Sequence, residues 1–194
     1  MNLIQQAKSL SPLRKNQQLM AFYMLFVAAL MIAVVAKQYI SLFGAKGIVL
    51  KDYALSLYGL ILLIPFLGKW VTKNPMKTFH ISIVLEITAT IGYYLSTKNF
   101  YPEYILIIST FILVTSNLIM NPLVTKVDSQ VINGCADYSL FKTKLSSIYT
   151  ALGALFGGFI LLFNVSVELS IITVLALLPV SRYYRNKVFK EIYL

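Results

Sequence analysis

Apolar stretches alternate along this chain with short charged segments, at a spacing that a lipid bilayer would set. Three uncharged runs, Asn16 to Ala36, Tyr104 to Thr125 and Leu145 to Val167, are long enough to cross a bilayer as helices, which takes roughly 20 apolar residues. Tyr53 to Gly68 is shorter, but Asp52 and Lys69 at its ends can snorkel to the interfaces and extend it. Thr78 to Thr97 is apolar apart from Glu86, and Val165 to Tyr183 carries Glu168 near one end and Pro179 near the other. The pattern predicts an all-α integral membrane protein with six transmembrane helices, over about 17–43, 53–69, 78–96, 104–125, 145–164 and 166–183. Residues 1–194 then form a single domain.

Composition agrees with the pattern. Of 194 residues, 58% are hydrophobic and 12% charged, and the mean hydropathy is +0.76. A soluble domain carries about 25% charged residues, so a water-facing surface cannot be assembled from this inventory. The first apolar run follows Arg14 and Lys15 but ends without a small-x-small cleavage site, so it is expected to stay in the protein as a span. The only cysteine, Cys135, cannot form an intramolecular disulfide, and one His with one Cys gives no zinc site. No phosphate-binding loop, GxSxG, HExxH or paired-carboxylate spacing occurs, so neither an enzyme nor a cofactor is expected.

The formal charge of +10 would suggest a nucleic-acid binder in a soluble chain, but here its distribution gives another meaning. With the N-terminus inside, thirteen of the 17 Lys and Arg fall in inner segments, Arg14, Lys73, Lys77, Lys126, Lys142, Lys144 and Arg185 among them. Only Lys37, Lys46, Lys51 and Lys98 fall outside. That asymmetry predicts an even number of spans with both termini cytoplasmic, in the inner (plasma) membrane, and no nucleic-acid partner. Tyr93, Tyr94, Phe100, Tyr101 and Tyr104 would anchor one interface and Trp70, Tyr183 and Tyr184 the other.

Polar residues inside the spans are the candidate chemistry. Glu86, nine residues past Lys77, lies roughly 13 Å into the bilayer. At that depth it is either a proton-titrating carboxylate or cation partner, or a carboxyl hydrogen-bonded between helices. Thr110, Asn117, Asn121 and Asp128 are spaced by 7, 4 and 7 and share one helical stripe. The stripe would either line an aqueous cavity, with the amides binding a polar solute, or bond neighbouring helices. Lys37 is expected to snorkel at the outer rim. Ser146, Thr150, Gly153 and Gly157, with Gly158 adjacent, put small residues on one side of the fifth span for close helix packing.

The order of these features resembles the N-terminal six-helix half of a major facilitator superfamily transporter. Between spans two and three that family carries G-x-x-x-D-[RK]-x-G-[RK]-[RK], where this chain has Gly68-Lys69-Trp70-Val71-Thr72-Lys73-Asn74-Pro75-Met76-Lys77. Gly68, Lys73 and Lys77 agree, while Thr72 stands at the acid and Pro75 at the second glycine. Asn121-Pro122, Asp128, the segment Tyr138 to Lys144 and Gly153 with Gly157-Gly158 are similar to the proton-coupled sugar and nucleoside symporters of that family. The resemblance implies a gate loop at Gly68, Lys73 and Lys77, spans one and four facing a central cavity, and Asp128 with Lys144 as substrate-binding charges.

A full member has two such halves, with substrate held between them. The expectation is therefore a half-size transporter for a small polar solute, acting as a homodimer or with a complementary half. Asn117, Asn121, Asp128 and Lys144 would bind solute, Glu86 would couple protons, and Gly153, Gly157 and Gly158 would pack helices. The competing expectation is a non-transporting membrane interaction protein, such as a bacteriocin-immunity, plasmid-exclusion or assembly subunit.

Overall fold

A computed structural model of the chain describes residues 10–44, 46, 49, 71, 73–98, 101–132, 136–163 and 165–193. The expected span at 53–69, Gly68 of the gate loop, the interfacial Trp70 and Phe100, and Cys135 lie outside the described residues. Five helices account for nearly all the rest: α1 (Pro12–Phe43), α2 (Pro75–Leu95), α3 (Pro102–Ile132), α4 (Ala136–Leu162) and α5 (Val167–Tyr193). All five are long and apolar enough to cross a membrane, so the chain is an all-helical, multi-pass membrane protein. They correspond to spans one, three, four, five and six of the sequence pattern.

The helices are longer than the apolar runs alone suggest, because local chemistry extends them. Ser11 caps α1 by accepting from the Arg14 N–H at 3.4 Å, and Pro12 follows, where its missing N–H costs nothing. At the other end Gly44 takes φ 57 while its N–H still bonds Ile40 O at 2.9 Å, a left-handed stop that suits glycine. Prolines also open α2 and α3. Helix α4 starts at Ala136 and α5 runs on to Tyr193, roughly two and a half to three turns beyond the sequence expectation in each case.

Side by side the helices form a curved row in the order α4, α1, α5, α2, α3, and α1 and α3 approach each other across its concave side. Two apolar clusters hold the row together. One joins Met20, Phe79, Ile83, Leu123, Val127, Phe141 and Phe189, with Phe79 stacked on Phe189 at 4.9 Å between centroids. The other joins Val27, Leu30, Val34, Tyr39, Tyr93, Leu106, Ile171 and Val174.

The α1/α4 contact is a small-residue seam. A Cβ on Gly153 would sit 2.7 Å from Ala29 Cβ, and one on Gly157 would sit 2.8 Å from Ala33 Cβ, so only glycine allows this approach. Phe22 against Tyr149 and Phe26 against Phe156 flank it edge-on. Gly158 meets nothing within 4 Å and takes no part. The seam is filled from within the chain, so the face around Gly153 is not available to a second molecule.

Candidate functional site

Helices α1 and α3 are tied together at two levels and stand apart between them. At one level Tyr39 on α1 and Tyr93 on α2 both reach Thr110 on α3, each oxygen 3.1 Å from Thr110 Oγ1. Next to this, Gln38 Nε2 donates to the Tyr93 carbonyl at 3.0 Å and to Ser96 Oγ. At the other level Gln17 Nε2 donates to Asp128 Oδ1 at 2.6 Å, and the Tyr138 hydroxyl donates to Gln17 Oε1 at 2.5 Å. Lys142 pairs with Asp128 Oδ2, and Gln18 Nε2 donates to the Tyr138 oxygen at 3.0 Å. The pairs 39/110 and 17/128 run in opposite senses along the two helices, so α1 and α3 are antiparallel.

Between the two ties lies a cavity of about 280 Å³. Met24, Val27, Met31 and Val35 wall it on α1, and Thr110, Asn117, Met120 and Asn121 on α3. Helix α2 contributes Glu86, Thr90 and Tyr93, and α5 contributes Val174, Leu178 and Arg185. Most of the wall is apolar. Its charge is one ion pair, Arg185 Nη2 to Glu86 Oε2 at 2.6 Å, joining α5 to α2. The Arg185 side chain is 4% exposed and that of Glu86 is 19% exposed, so the carboxylate is the more accessible partner.

The sequence stripe is therefore divided between two jobs. Thr110, Asn117 and Asn121 line the cavity, whereas Asp128 belongs to the tie below it and lines nothing. Glu86, on the third span, faces the same cavity as the two amides. Lys144 does not meet Asp128; Lys142 does. Two residues along a helix is roughly 200° around it, so with α4 already helical from Ala136 the two lysines cannot share a face. Lys144 is exposed, as are Lys73 and Lys77. Lys37 donates to the Val165 carbonyl at 2.5 Å, holding the turn before α5 rather than merely reaching an interface.

Several participants were not picked out by sequence reasoning, Tyr39 and Gln38 in the first tie and Gln17, Gln18 and Arg185 beside the second tie and the cavity. Arg185 was counted among the loop charges but is 3% exposed inside α5. Gln17 and Gln18 look like the polar start of an apolar run, and are 0% and 6% exposed. Their signal was three consecutive amides, Asn16 to Gln18, where an interfacial segment would ordinarily carry charge. Arg185 had a signal too, since a buried acid at Glu86 calls for a cation at matching depth on another helix. Among the described residues, no three His, Cys, Asp or Glu side chains come together, so none of these builds a metal site. No protein-family model, curated protein or solved structure matches the chain.

Proposed function

We propose that the chain is a half-size, major-facilitator-like transporter that holds a small polar solute in the α1/α3 cavity. In this reading the segment 53–69 supplies a sixth span, both termini are cytoplasmic and the protein sits in the inner membrane. The observation that carries it is a cavity between α1 and α3, open on one side, with Asn117, Asn121, Glu86 and Arg185 in its wall and a hydrogen-bonded tie on either side.

Two further features support it. Helix α1 lies against α5 as α3 lies against α2, and α2 meets α5, which is the pairing expected of two inverted three-helix repeats. Asn121 is exposed on the rim of the cavity, and a primary amide facing hydrocarbon is costly unless another protein surface covers it. That favours a second copy or a complementary half across the mouth. Glu86 is the proton-coupling group in this scheme, with Arg185 as its fixed counter-charge.

The test is flux. The chain is reconstituted into vesicles loaded with a pH-sensitive dye, and small polar solutes are added outside under an imposed pH gradient. Solute-dependent proton movement that Asn117→Ala with Asn121→Ala abolishes is the expected result. Movement unchanged in that variant removes the site, and a transporting particle of strictly monomeric mass removes the paired half.

A further inference from the structure

One face of α2 is left open by the other described helices, and it begins with positive charge and continues as hydrocarbon. Lys77, His80, Val84, Ile91 and Leu95 are exposed along it, and spacings of 3, 4, 7 and 4 keep them on one stripe. At the Pro75 end a groove of about 580 Å³ follows this stripe, lined by Lys77, His80, Ile81, Val84 and Leu85. Its wall is almost wholly apolar, so Lys77 lines it with its methylene stem and carries the ammonium beyond it. Nothing among the described residues answers the charge. None of their ion pairs uses Lys77 or His80. Helix α2 has no acid in its first turn, and Asn74 before it makes no side-chain cap. A helix N-terminus is the positive end of the macrodipole, where an acid is favourable and a cation is not. The start of α2 therefore gathers positive charge beside an apolar groove, and calls for an anion from outside the chain.

We propose that this groove holds one anionic diacyl phospholipid, with its phosphate at Lys77 and His80 and its acyl chains against Ile81, Val84 and Leu85. This goes beyond the transporter reading and holds whether or not the chain carries a solute. From Lys77 to Leu85 is ~12 Å of helix, within the ~15 Å that one leaflet contributes to the hydrocarbon core. Charge at one end with hydrocarbon below it is the order of groups in a lipid, whereas a free phosphate would leave the apolar wall unused. Lys77 brings three N–H donors to the phosphate and the His80 ring at least one. A zwitterionic headgroup carries its own cation beside the phosphate, which these two side chains would not attract. At ~30 Å³ per water-sized group, about 580 Å³ takes roughly 19 such groups, or about nine from each of two chains.

The experiment is native mass spectrometry of the full chain, titrated in detergent with phosphatidylglycerol or phosphatidylcholine carrying the same acyl chains. Phosphatidylglycerol is expected to bind about fivefold more tightly, the ratio that one basic side chain supplies at an anionic surface. Lys77→Gln with His80→Gln should bring the two lipids level. Lys144→Gln with Lys190→Gln, which removes exposed cations from α4 and α5, should leave the ratio in place. Val84→Trp, which fills the groove, should weaken both lipids by a similar factor and keep the ratio. Equal binding in the wild type overturns the proposal. So does a ratio erased as fully by the Lys144 and Lys190 pair, because that is diffuse charge and not a site. Glycerol phosphate that displaces phosphatidylglycerol at equal concentration makes this a site for free phosphate and overturns the lipid. Val84→Trp that leaves both lipids unchanged overturns it too, and a fall in the particle's mass in that variant would give the face to a second protein.

Discussion

Replacing Glu86 by Gln should destabilise the protein far more than removing one hydrogen bond. The substitution keeps the shape of the side chain but leaves Arg185, 3% exposed, without its counter-charge. Breaking a buried pair from one side costs about 3–5 kcal/mol, because the remaining charge stays desolvated. We place Glu86→Gln near 3 kcal/mol, the lower end, since Glu86 itself is partly accessible through the cavity and water can follow it in. For a chain of this length 1 kcal/mol moves the melting point by about 2–4 °C, so the expected loss is about 6–12 °C. Arg185→Gln should cost a similar amount. The double variant should recover most of it, because two amides of matching shape no longer bury a charge. Thermal unfolding of all four proteins in one detergent closes the cycle. A double variant whose loss equals the sum of the single losses would show that the two residues act independently, and would refute the ion pair as the link between α2 and α5.

Three other outcomes follow from the packing and the ties. Gly157→Leu should force α1 and α4 apart and cost about 1–3 kcal/mol by overpacking, whereas Gly158→Leu, which meets open space, should stay within about 0.5 kcal/mol in thermal unfolding. Lys142→Met should cost about 1.5–3 kcal/mol through loss of the Asp128 bond. Lys144→Met should change stability by less than about 0.5 kcal/mol, and equal effects of the two lysines would refute the assignment. Tyr39→Phe and Tyr93→Phe should each cost about 0.5–1.5 kcal/mol, one hydrogen bond to Thr110 apiece, as measured by chemical denaturation.

The five described helices were legible because a bilayer imposes a length and a composition that hydropathy reads directly. Several of their ends were not, since Ser11 starts α1 early by a cap that carries no hydropathy, and the polar stretches that carry α3 on to Ile132, α4 back to Ala136 and α5 on to Tyr193 read as loops. The small-residue spacing found Gly153 and Gly157, but spacing alone could not tell a partner within the chain from one outside it. The Thr110 to Asp128 stripe showed which residues share a face of α3. It could not show that the face changes neighbour along its length, from cavity at Asn117 to the Gln17 and Lys142 tie at Asp128. Arg185 was hidden for a related reason. Charge counting assigns each Lys and Arg to the nearest loop, and a long helix such as α5 can carry an arginine well inside its described span.

The two ties around the cavity differ in kind, and that difference gives the cavity a direction. Near Tyr93 the bonds converging on Thr110 join neutral groups, two phenols and a threonine hydroxyl. Near Asp128 the tie is built on a carboxylate that receives Gln17 and Lys142 at once, with Arg14 stacked 4.6 Å above the Tyr138 ring. Hydrogen bonds to charged groups are roughly twice as strong as neutral ones. On the transporter reading proposed above, a second bundle closes the mouth at Asn121, and a solute then leaving along the α1/α3 groove would have to break a tie, of which the neutral one yields first. The Asp128 tie also recruits α4, which is itself locked to α1 through Gly153 and Gly157, so breaking it would move three helices rather than two. In that proposed reading the Tyr93 side is the less costly end of the groove to open, and the contacts of a second bundle seated over the exposed Asn121 rim would be what reverses the order.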